Sequence, residues 1–233
     1  MKKGCLAGVV VLSFLSIHFC WAQTNEAAAA RPYAIAILRD GPCDYFDDLA
    51  ARVEKELKDL MAGKREVRFL QTPAMNADWD LRRIQPVVAG ALNNPDVDLV
   101  FADGILAAQE AARPGLALPK PVISGFVQDP DAAGLPYNEQ GVSTKTNFNF
   151  VVVPLRSMRD LEVFRQMVPF QKLGIVGDSV VFQGLDGLAG HVKTSSEQFG
   201  VETILLPAAT KAADVLAALD PAIEAVYLTP ALR

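Results

Sequence analysis

Cysteine and histidine are scarce in this chain, which has three cysteines and two histidines among its 233 residues. Cys5, His18 and Cys20 fall within the first 22 residues, which have the features of a cleaved signal peptide. Its removal leaves Cys43 and His191, which lie far apart in sequence. A single cysteine excludes an internal disulfide, and the pair has no spacing typical of a metal site, so we expect neither.

Recognisable catalytic motifs are also lacking. The chain has neither the G-x-S-x-G turn of serine hydrolases nor a phosphate-binding loop. Gly184, Gly187 and Gly190 form a run whose spacing is wrong for a dinucleotide loop, and close helix packing is the simpler interpretation. Cys43 could act as a nucleophile beside a helix start, although a lone cysteine in a polar turn is more often incidental. We therefore expect that the protein is not an enzyme and binds no cofactor. An exported hydrolase or reductase is the alternative.

Basic residues are fewer than acidic ones. The chain has 22 lysines and arginines against 27 aspartates and glutamates, a formal net charge of −5 that becomes −7 without Lys2 and Lys3. A negative chain repels the phosphate backbone, so no nucleic-acid partner is expected. Half of the residues are apolar, which is enough for a globular core.

The first 22 residues are predicted to be a signal peptide. Lys2 and Lys3 precede an apolar run at residues 6–17, and Cys20-Trp21-Ala22 supplies an acceptable cleavage site. The run is shorter than the roughly 20 apolar residues that span a membrane, which disfavours an uncleaved anchor. We expect a protein that is soluble after signal cleavage and located in the periplasm.

Strands and helices alternate along the rest of the chain. Strands are predicted at residues 33–38, 66–70, 99–102, 121–126, 148–153, 172–176, 201–206 and 225–228. Helices are predicted at 44–61, 77–92, 105–112, 155–167, 185–199 and 212–219, with Asp44 as the N-cap of the first. This alternation predicts parallel sheets with right-handed crossovers, in an N-terminal lobe at 23–150 and a partial C-terminal lobe at 151–233. The second lobe has three clear strands and no closing helix, so we expect it to be incomplete.

A polar turn follows nearly every predicted strand. Ligands of open α/β sheets bind beyond the carboxyl ends of the strands, which makes residues 39–43 the first candidate site. Arg39 and Asp40 could hold the carboxylate and ammonium of a zwitterion, or Asp40 could cap backbone amides in a solvated turn. Asp103 could likewise accept an ammonium or cap the short helix that follows it. Tyr45 and Phe126 are candidates for an aromatic wall, whereas the helix pattern assigns Phe46 to the core.

Residues 33–40, 98–104, 121–123 and 168–178 carry a resemblance to the type I periplasmic binding proteins. The chain is most similar to the substrate-binding proteins of ABC transporters, in the group with receptors for aromatic and other amino acids. The resemblance implies two Rossmann-like lobes, a small polar, amino acid-like ligand between them, and an ABC permease in the inner membrane as partner. The ligand-binding residues that it implies are Arg39, Asp40, Gly41, Tyr45, Asp103, Gly104, Phe126, Gln128, Asp178, Ser179 and Thr229.

The early end of the second lobe leaves a different function open. A periplasmic interaction or structural protein could keep this fold without a working cleft, because one fold serves many functions.

Overall fold

The computed structural model describes residues 31–153, 157–208 and 212–229. The predicted signal peptide, residues 1–22, lies outside the described residues. Within the described ranges, no helix combines the length and the apolar character needed to cross a membrane.

Five parallel strands form the first sheet. They are β1 (Tyr33–Arg39), β2 (Val67–Leu70), β3 (Leu99–Asp103), β4 (Val122–Val127) and β5 (Phe148–Val152), in the order β2-β1-β3-β4-β5. Three helices connect them: α1 (Asp44–Met61), α2 (Leu81–Asn93) and α3 (Ile105–Ala112). The predicted position of β2 at the sheet edge is confirmed.

Three parallel strands form the second sheet. They are β6 (Lys172–Asp178), β7 (Glu202–Ala208) and β8 (Ala225–Leu228), in the order β7-β6-β8. The helices of this part are α4 (Ser157–Met167), α5 (Ser179–Gly184), α6 (Leu188–Glu197) and α7 (Ala212–Ala218). The predicted α/β class with two parallel sheets is confirmed. The predicted lobe boundary between residues 150 and 151 falls within β5 and stays a prediction.

The first sheet is covered on both faces, which explains why β1 is apolar at every central position. Ile35 and Ile37 pack with the buried Ala50 of α1 on one face. Ala36 and Leu38 pack with residues of α2 and α3 on the other. Successive side chains of a strand alternate between faces, so a strand between two helix layers must be apolar throughout.

Three helix starts differ from their predictions. The helix predicted at 185–199 is α6, which begins at Leu188. Asp44 is the first residue of α1 and not its N-cap, because Cys43 occupies that position in an extended conformation without a side-chain capping bond. The helix predicted at 77–92 begins only at Leu81, since Asp78 and Trp79 have φ angles of 54° and 57°, which no right-handed helix accommodates. Asp80 caps α2 by accepting a hydrogen bond from the Arg82 amide.

A short helix, α5, was not predicted. The sequence pattern places a polar turn at residues 177–179, but β6 continues to Asp178 and α5 starts at once with Ser179. Asp178 is the N-cap, with Oδ1 accepting a hydrogen bond from the Val180 amide at 2.8 Å. A β-carbon on Gly184, the last residue of α5, would lie 2.7 Å from Leu81, which supports the helix-packing interpretation of that glycine.

Asp40 joins the end of β1 to the start of α3. Its side chain is 1 % exposed, and its carboxylate accepts hydrogen bonds from the amides of Leu106 and Ala107, both at 2.9 Å. A helix start has backbone amides without partners in the helix, and the carboxylate satisfies two of them. Gly104 lies directly above this contact, so that a β-carbon there would come within 2.5 Å of both Asp40 oxygens.

We expect Gly104→Ala to destabilise the protein by about 1–3 kcal/mol, because the new methyl group overlaps the Asp40 carboxylate and forces one of them to move. Urea unfolding monitored by circular dichroism measures the change. Gly90→Ala is the matched control, since Gly90 is exposed within α2 and a β-carbon there meets no atom within 4 Å. That substitution should leave stability unchanged or raise it by up to about 1 kcal/mol. Equal effects of the two variants would contradict the close contact at Gly104.

Candidate functional site

A cavity of about 290 Å³ is bounded by residues from both sheets and their helices. The part of the chain that carries the first sheet contributes Phe46, Ile105, Phe126, Gln128, Asp129 and Ala132. The part that carries the second sheet contributes most of the remaining wall, from β6, α5, α6, β7 and β8, with Thr229 following β8. The cavity extends along one face of the second sheet, where Leu173, Ile175, Thr203 and Leu205 line it, to Asp178 at the carboxyl end of β6. The carboxyl end of the strands is where ligands of open α/β sheets bind.

Aromatic rings form one wall of this cavity. The ring centroids of Phe46 and Phe126 are 5.9 Å apart in an edge-to-face arrangement, and the Tyr45 ring is 5.2 Å from that of Phe126. Tyr45 is 54 % exposed and is not among the lining residues, whereas Phe46 is. Phe46 belongs both to the buried face of α1 and to the cavity wall. Helical periodicity could not reveal this, because it separates core from solvent but not core from cavity.

Polar side chains from both parts of the chain line the cavity. Asp129 lies in the loop after β4, and its Oδ2 is 2.9 Å from Nε2 of His191 on α6, a contact between the two parts of the chain. Its other oxygen, Oδ1, accepts hydrogen bonds from the amides of Asp131 and Ala132, both at 3.0 Å. Asp178 and Thr229 lie at the ends of two neighbouring strands. No arginine or lysine is among the described residues that line the cavity.

The predicted residues after β1 lie outside the cavity lining. Arg39 forms an ion pair with Asp47 and donates a hydrogen bond to Gln71 at 3.3 Å. Asp40 is buried at the start of α3, so the capping interpretation is correct for its carboxylate, although the turn is not solvated. Gly41 packs directly against the Trp79 ring. Gly104 and Ser179 are likewise not lining residues, whereas Phe126, Gln128, Asp178 and Thr229 are.

Asp103 does not cap α3, contrary to the capping interpretation of its role. The N-cap position belongs to Gly104, and the amides of the first turn bond to Asp40 instead. The Asp103 side chain is fully buried, and neither carboxylate oxygen has a hydrogen-bond partner in the structure. Asp103 pairs with Arg39 in the register of β1 and β3, so tertiary structure and not the helix start sets its environment.

Burial changes the protonation of both aspartates. Desolvation raises the pKa of Asp103 from 3.8 to about 7, with the charge of Arg39 opposing the change and that of Asp40 adding to it. Desolvation also raises the pKa of Asp40 from 3.8 to about 6, against the opposing effect of the α3 amides. With a pKa of about 7, Asp103 is roughly half protonated near pH 7 and neutral at lower pH, because a buried carboxylate without a partner is costly.

Tertiary structure also assembles a group that has no sequence signature. Asp129, Asp131 and His191 each place a possible ligand atom within 4.8 Å of the others. The Asp131 carboxylate additionally accepts a hydrogen bond from the Tyr137 hydroxyl at 2.7 Å. These are the described residues that could hold a metal ion, and their separation of about 60 positions in sequence explains why spacing does not indicate them.

No protein-family model matches the chain, and no curated protein matches its sequence. Among solved structures, it is similar to the ABC domain in complex with L-Trp from Streptococcus pneumoniae, with 18% identity and a TM-score of 0.59 over 83% of this chain and 64% of that one. A conserved domain protein from Vibrio cholerae gives 18% identity and a TM-score of 0.56 over 81% and 61%. A periplasmic binding protein type 1 from Bordetella pertussis gives 16% and 0.51 over 84% and 55%.

The chain has the fold of the type 1 periplasmic binding proteins. It spans 64% or less of the length of these three structures. At such low sequence identity, the similarity shows a shared backbone fold and does not indicate which ligand this chain binds.

We expect Asp103→Asn to change how stability depends on pH. A pKa raised on folding means that protonated Asp103 favours the folded state below pH 4, and that this advantage is lost as pH rises through about 7. Asparagine at position 103 does not titrate. The free energy of unfolding of the variant should therefore rise relative to that of the parent by about 1–3 kcal/mol between pH 4 and pH 8.

Urea unfolding at four or five pH values measures this difference. Asp48→Asn is the control, since it makes the same change in net charge at an exposed position on α1. A difference for Asp103→Asn that does not vary with pH would show that Asp103 titrates as an ordinary carboxyl group.

Proposed function

We propose that this protein is the solute-binding component of an ABC-type importer and captures a small ligand in the cavity that both parts of the chain line. The single observation that carries this proposal is the cavity itself, whose walls come from both parts of the chain. The fold supports it, because the similar structures include a periplasmic binding protein and a domain solved with L-Trp. The proposed role is binding and not catalysis.

Ligand capture would work through the two walls of the cavity. A ligand that contacts Phe126 on one side and Phe182 or Tyr227 on the other gains contacts only when both walls are close. It therefore favours the closed arrangement over any open one by its differential affinity. A membrane permease that recognises the closed arrangement would then receive the loaded protein and not the empty one. These events would take place outside the cytoplasm, where the predicted signal peptide would deliver the protein.

An amino acid-like ligand remains the prediction from sequence, and the cavity supports part of it. The aromatic and aliphatic lining suits an apolar side chain of moderate size. The polar groups of such a ligand would meet Gln128, Asp178 and Thr229 and not Arg39 or Asp40, which have structural partners elsewhere.

Ligand binding is tested by thermal unfolding of the full chain with a broad panel of amino acids, amines, sugars and organic acids. At least one compound should raise the midpoint in proportion to the logarithm of its concentration, since a ligand that binds only the folded state stabilises it by mass action. Calorimetric titration of that compound should give one site per chain.

Ser195→Phe should abolish this stabilisation, because Ser195 lines the cavity and the larger side chain fills it. Thr194→Phe is the matched control: Thr194 is the preceding residue on α6, is exposed, and should leave binding intact. Ligand stabilisation that persists in Ser195→Phe would show that the ligand binds outside this cavity. If no compound in the panel stabilises the parent chain, the interaction or structural role becomes the better interpretation.

A further inference from the structure

Three side chains from distant parts of the sequence form a group suited to a metal ion. We propose that Asp129, Asp131 and His191 bind a divalent transition-metal ion such as Zn²⁺, which joins the loop after β4 to α6 at the wall of the cavity. This inference goes beyond the proposed function and does not depend on it, because ion binding and solute capture are separate events with separate tests.

The group combines one imidazole nitrogen with two carboxylates. Oδ2 of Asp129 lies 2.9 Å from Nε2 of His191, and a possible ligand atom of each of the three residues lies within 4.8 Å of the others. A zinc ion holds nitrogen and oxygen ligands at about 2.0–2.2 Å, so its donor atoms stand about 3.0–3.5 Å apart. Small side-chain rotations therefore bring the three donors to coordinating distances. Three protein ligands leave a position on a tetrahedral ion for water or for a group of a bound solute.

Hydrogen bonds orient both carboxylates. Oδ1 of Asp129 accepts from the amides of Asp131 and Ala132, both at 3.0 Å, while Oδ2 of the same carboxylate faces His191. An oxygen of Asp131 accepts a hydrogen bond from the Tyr137 hydroxyl at 2.7 Å. An oxygen that accepts one hydrogen bond keeps a lone pair with which it can coordinate an ion. Partners of this kind fix the orientation of metal ligands and strengthen binding of the ion.

The backbone brings the start of α6 close to the loop that carries the aspartates. A β-carbon on Gly187, the residue before α6, would lie 3.4 Å from the carbonyl oxygen of Ala132 and 3.7 Å from that of Asp131. His191 lies one helical turn further on, and its amide donates a hydrogen bond to the Gly187 carbonyl at 3.0 Å. This close approach of two backbone segments places the imidazole beside the Asp129 carboxylate. The donors are therefore positioned by the fold as well as by their own contact.

The chemistry of the donors selects the class of ion. An imidazole nitrogen suits zinc and other first-row transition ions, whereas Mg²⁺ and Ca²⁺ prefer sites made of oxygen. Coordination requires the lone pair on Nε2 of His191. A neutral ring supplies this lone pair as the tautomer with its proton on Nδ1, and a protonated ring supplies it by releasing one proton to solvent. The ion then replaces the direct contact between His191 and Asp129.

Calorimetric titration of the full, untagged chain with zinc chloride, after removal of bound metals by a chelator, tests the inference. We expect one ion per chain, and binding of Mg²⁺ and Ca²⁺ that is weaker by about tenfold or more. Zinc should also raise the midpoint of thermal unfolding, because an ion that binds only the folded state stabilises it by mass action. Cys43→Ser should bind zinc as the parent does, since its thiol is not among the proposed ligands.

Two variants remove one ligand each. Asp131→Asn removes a charged ligand but keeps an oxygen that can accept the hydrogen bond from Tyr137, so the loop should keep its conformation while zinc affinity falls about tenfold or more. His191→Gln removes the nitrogen donor and should lower zinc affinity about a hundredfold. Asp186→Asn is the matched control: it makes the same change in net charge at an exposed position between α5 and α6 and should leave zinc affinity unchanged.

Hydrogen exchange measures whether the ion joins the two segments. In the parent, zinc should slow exchange of the amides at residues 129–135 and at residues 188–195 together, since opening of either segment would break the coordination. Asp131→Asn should show neither change at the same zinc concentration.

The outcomes separate this inference from the proposed function. If zinc does not bind the parent, the contact of Asp129 with His191 is an ordinary pair and the inference is overturned. Equal zinc binding by Asp131→Asn and His191→Gln would indicate an adventitious ion only and would overturn it as well. Slower exchange in one segment alone would overturn the joining of the two segments. Zinc binding without stabilisation by any organic compound would support this inference while the proposed function fails, and the reverse result would overturn this inference alone.

Discussion

The buried carboxylate of Asp40 is the contact on which the carboxyl edge of the first sheet depends. The carboxylate accepts hydrogen bonds from the Leu106 and Ala107 amides at the start of α3. The backbone carbonyl of Asp40 accepts a further hydrogen bond from the Trp79 amide at 2.7 Å. One residue thus connects β1, the turn before α2 and α3. Gly104 must lack a side chain for this contact to form. An unpaired carboxylate buried in this position would be costly, so its two amide bonds and the fold depend on one another.

Because the Asp40 carboxylate is bonded to α3, it is not part of the cavity lining. In a sheet of this type, the first polar turn is a natural binding position, but here its charged residues have partners within the structure. Arg39 is paired with Asp47, and Asp40 with α3. The polar groups that face the cavity come from later turns, at Asp129 and Asp178, and from α6.

Much of the fold was predictable from the sequence, and the exceptions have identifiable causes. Continuous apolar runs marked β1 and β3 as strands buried on both faces, and α3 was predicted with its observed bounds. The start of α2 was placed too early because Trp79 fits a helical stripe, although its positive φ angle excludes it from the helix. The sequence predicts a turn where the structure has the start of the short helix α5, because Asp178 and Ser179 are equally suited to turns and helix caps.

The candidate site was predictable only in part. Phe126, Gln128, Asp178 and Thr229 are among the ligand-binding residues that the family resemblance implies, and they line the cavity. His191 and Phe46 were not selected, since a helix residue distant in sequence and a core aromatic carry no local signal of a cavity.

The sequence by itself determined the order of strands and helices and the apolar faces that must be buried, because side-chain periodicity is a local property of the chain. Only the tertiary structure decided which polar residues face the cavity. Asp40 directly follows β1, Asp178 is the last residue of β6, and both accept hydrogen bonds from amides at a helix start. The difference arises because α3 lies beside β1 and receives the carboxylate of Asp40, whereas Asp178 caps the helix that directly follows its own strand and remains at the cavity wall.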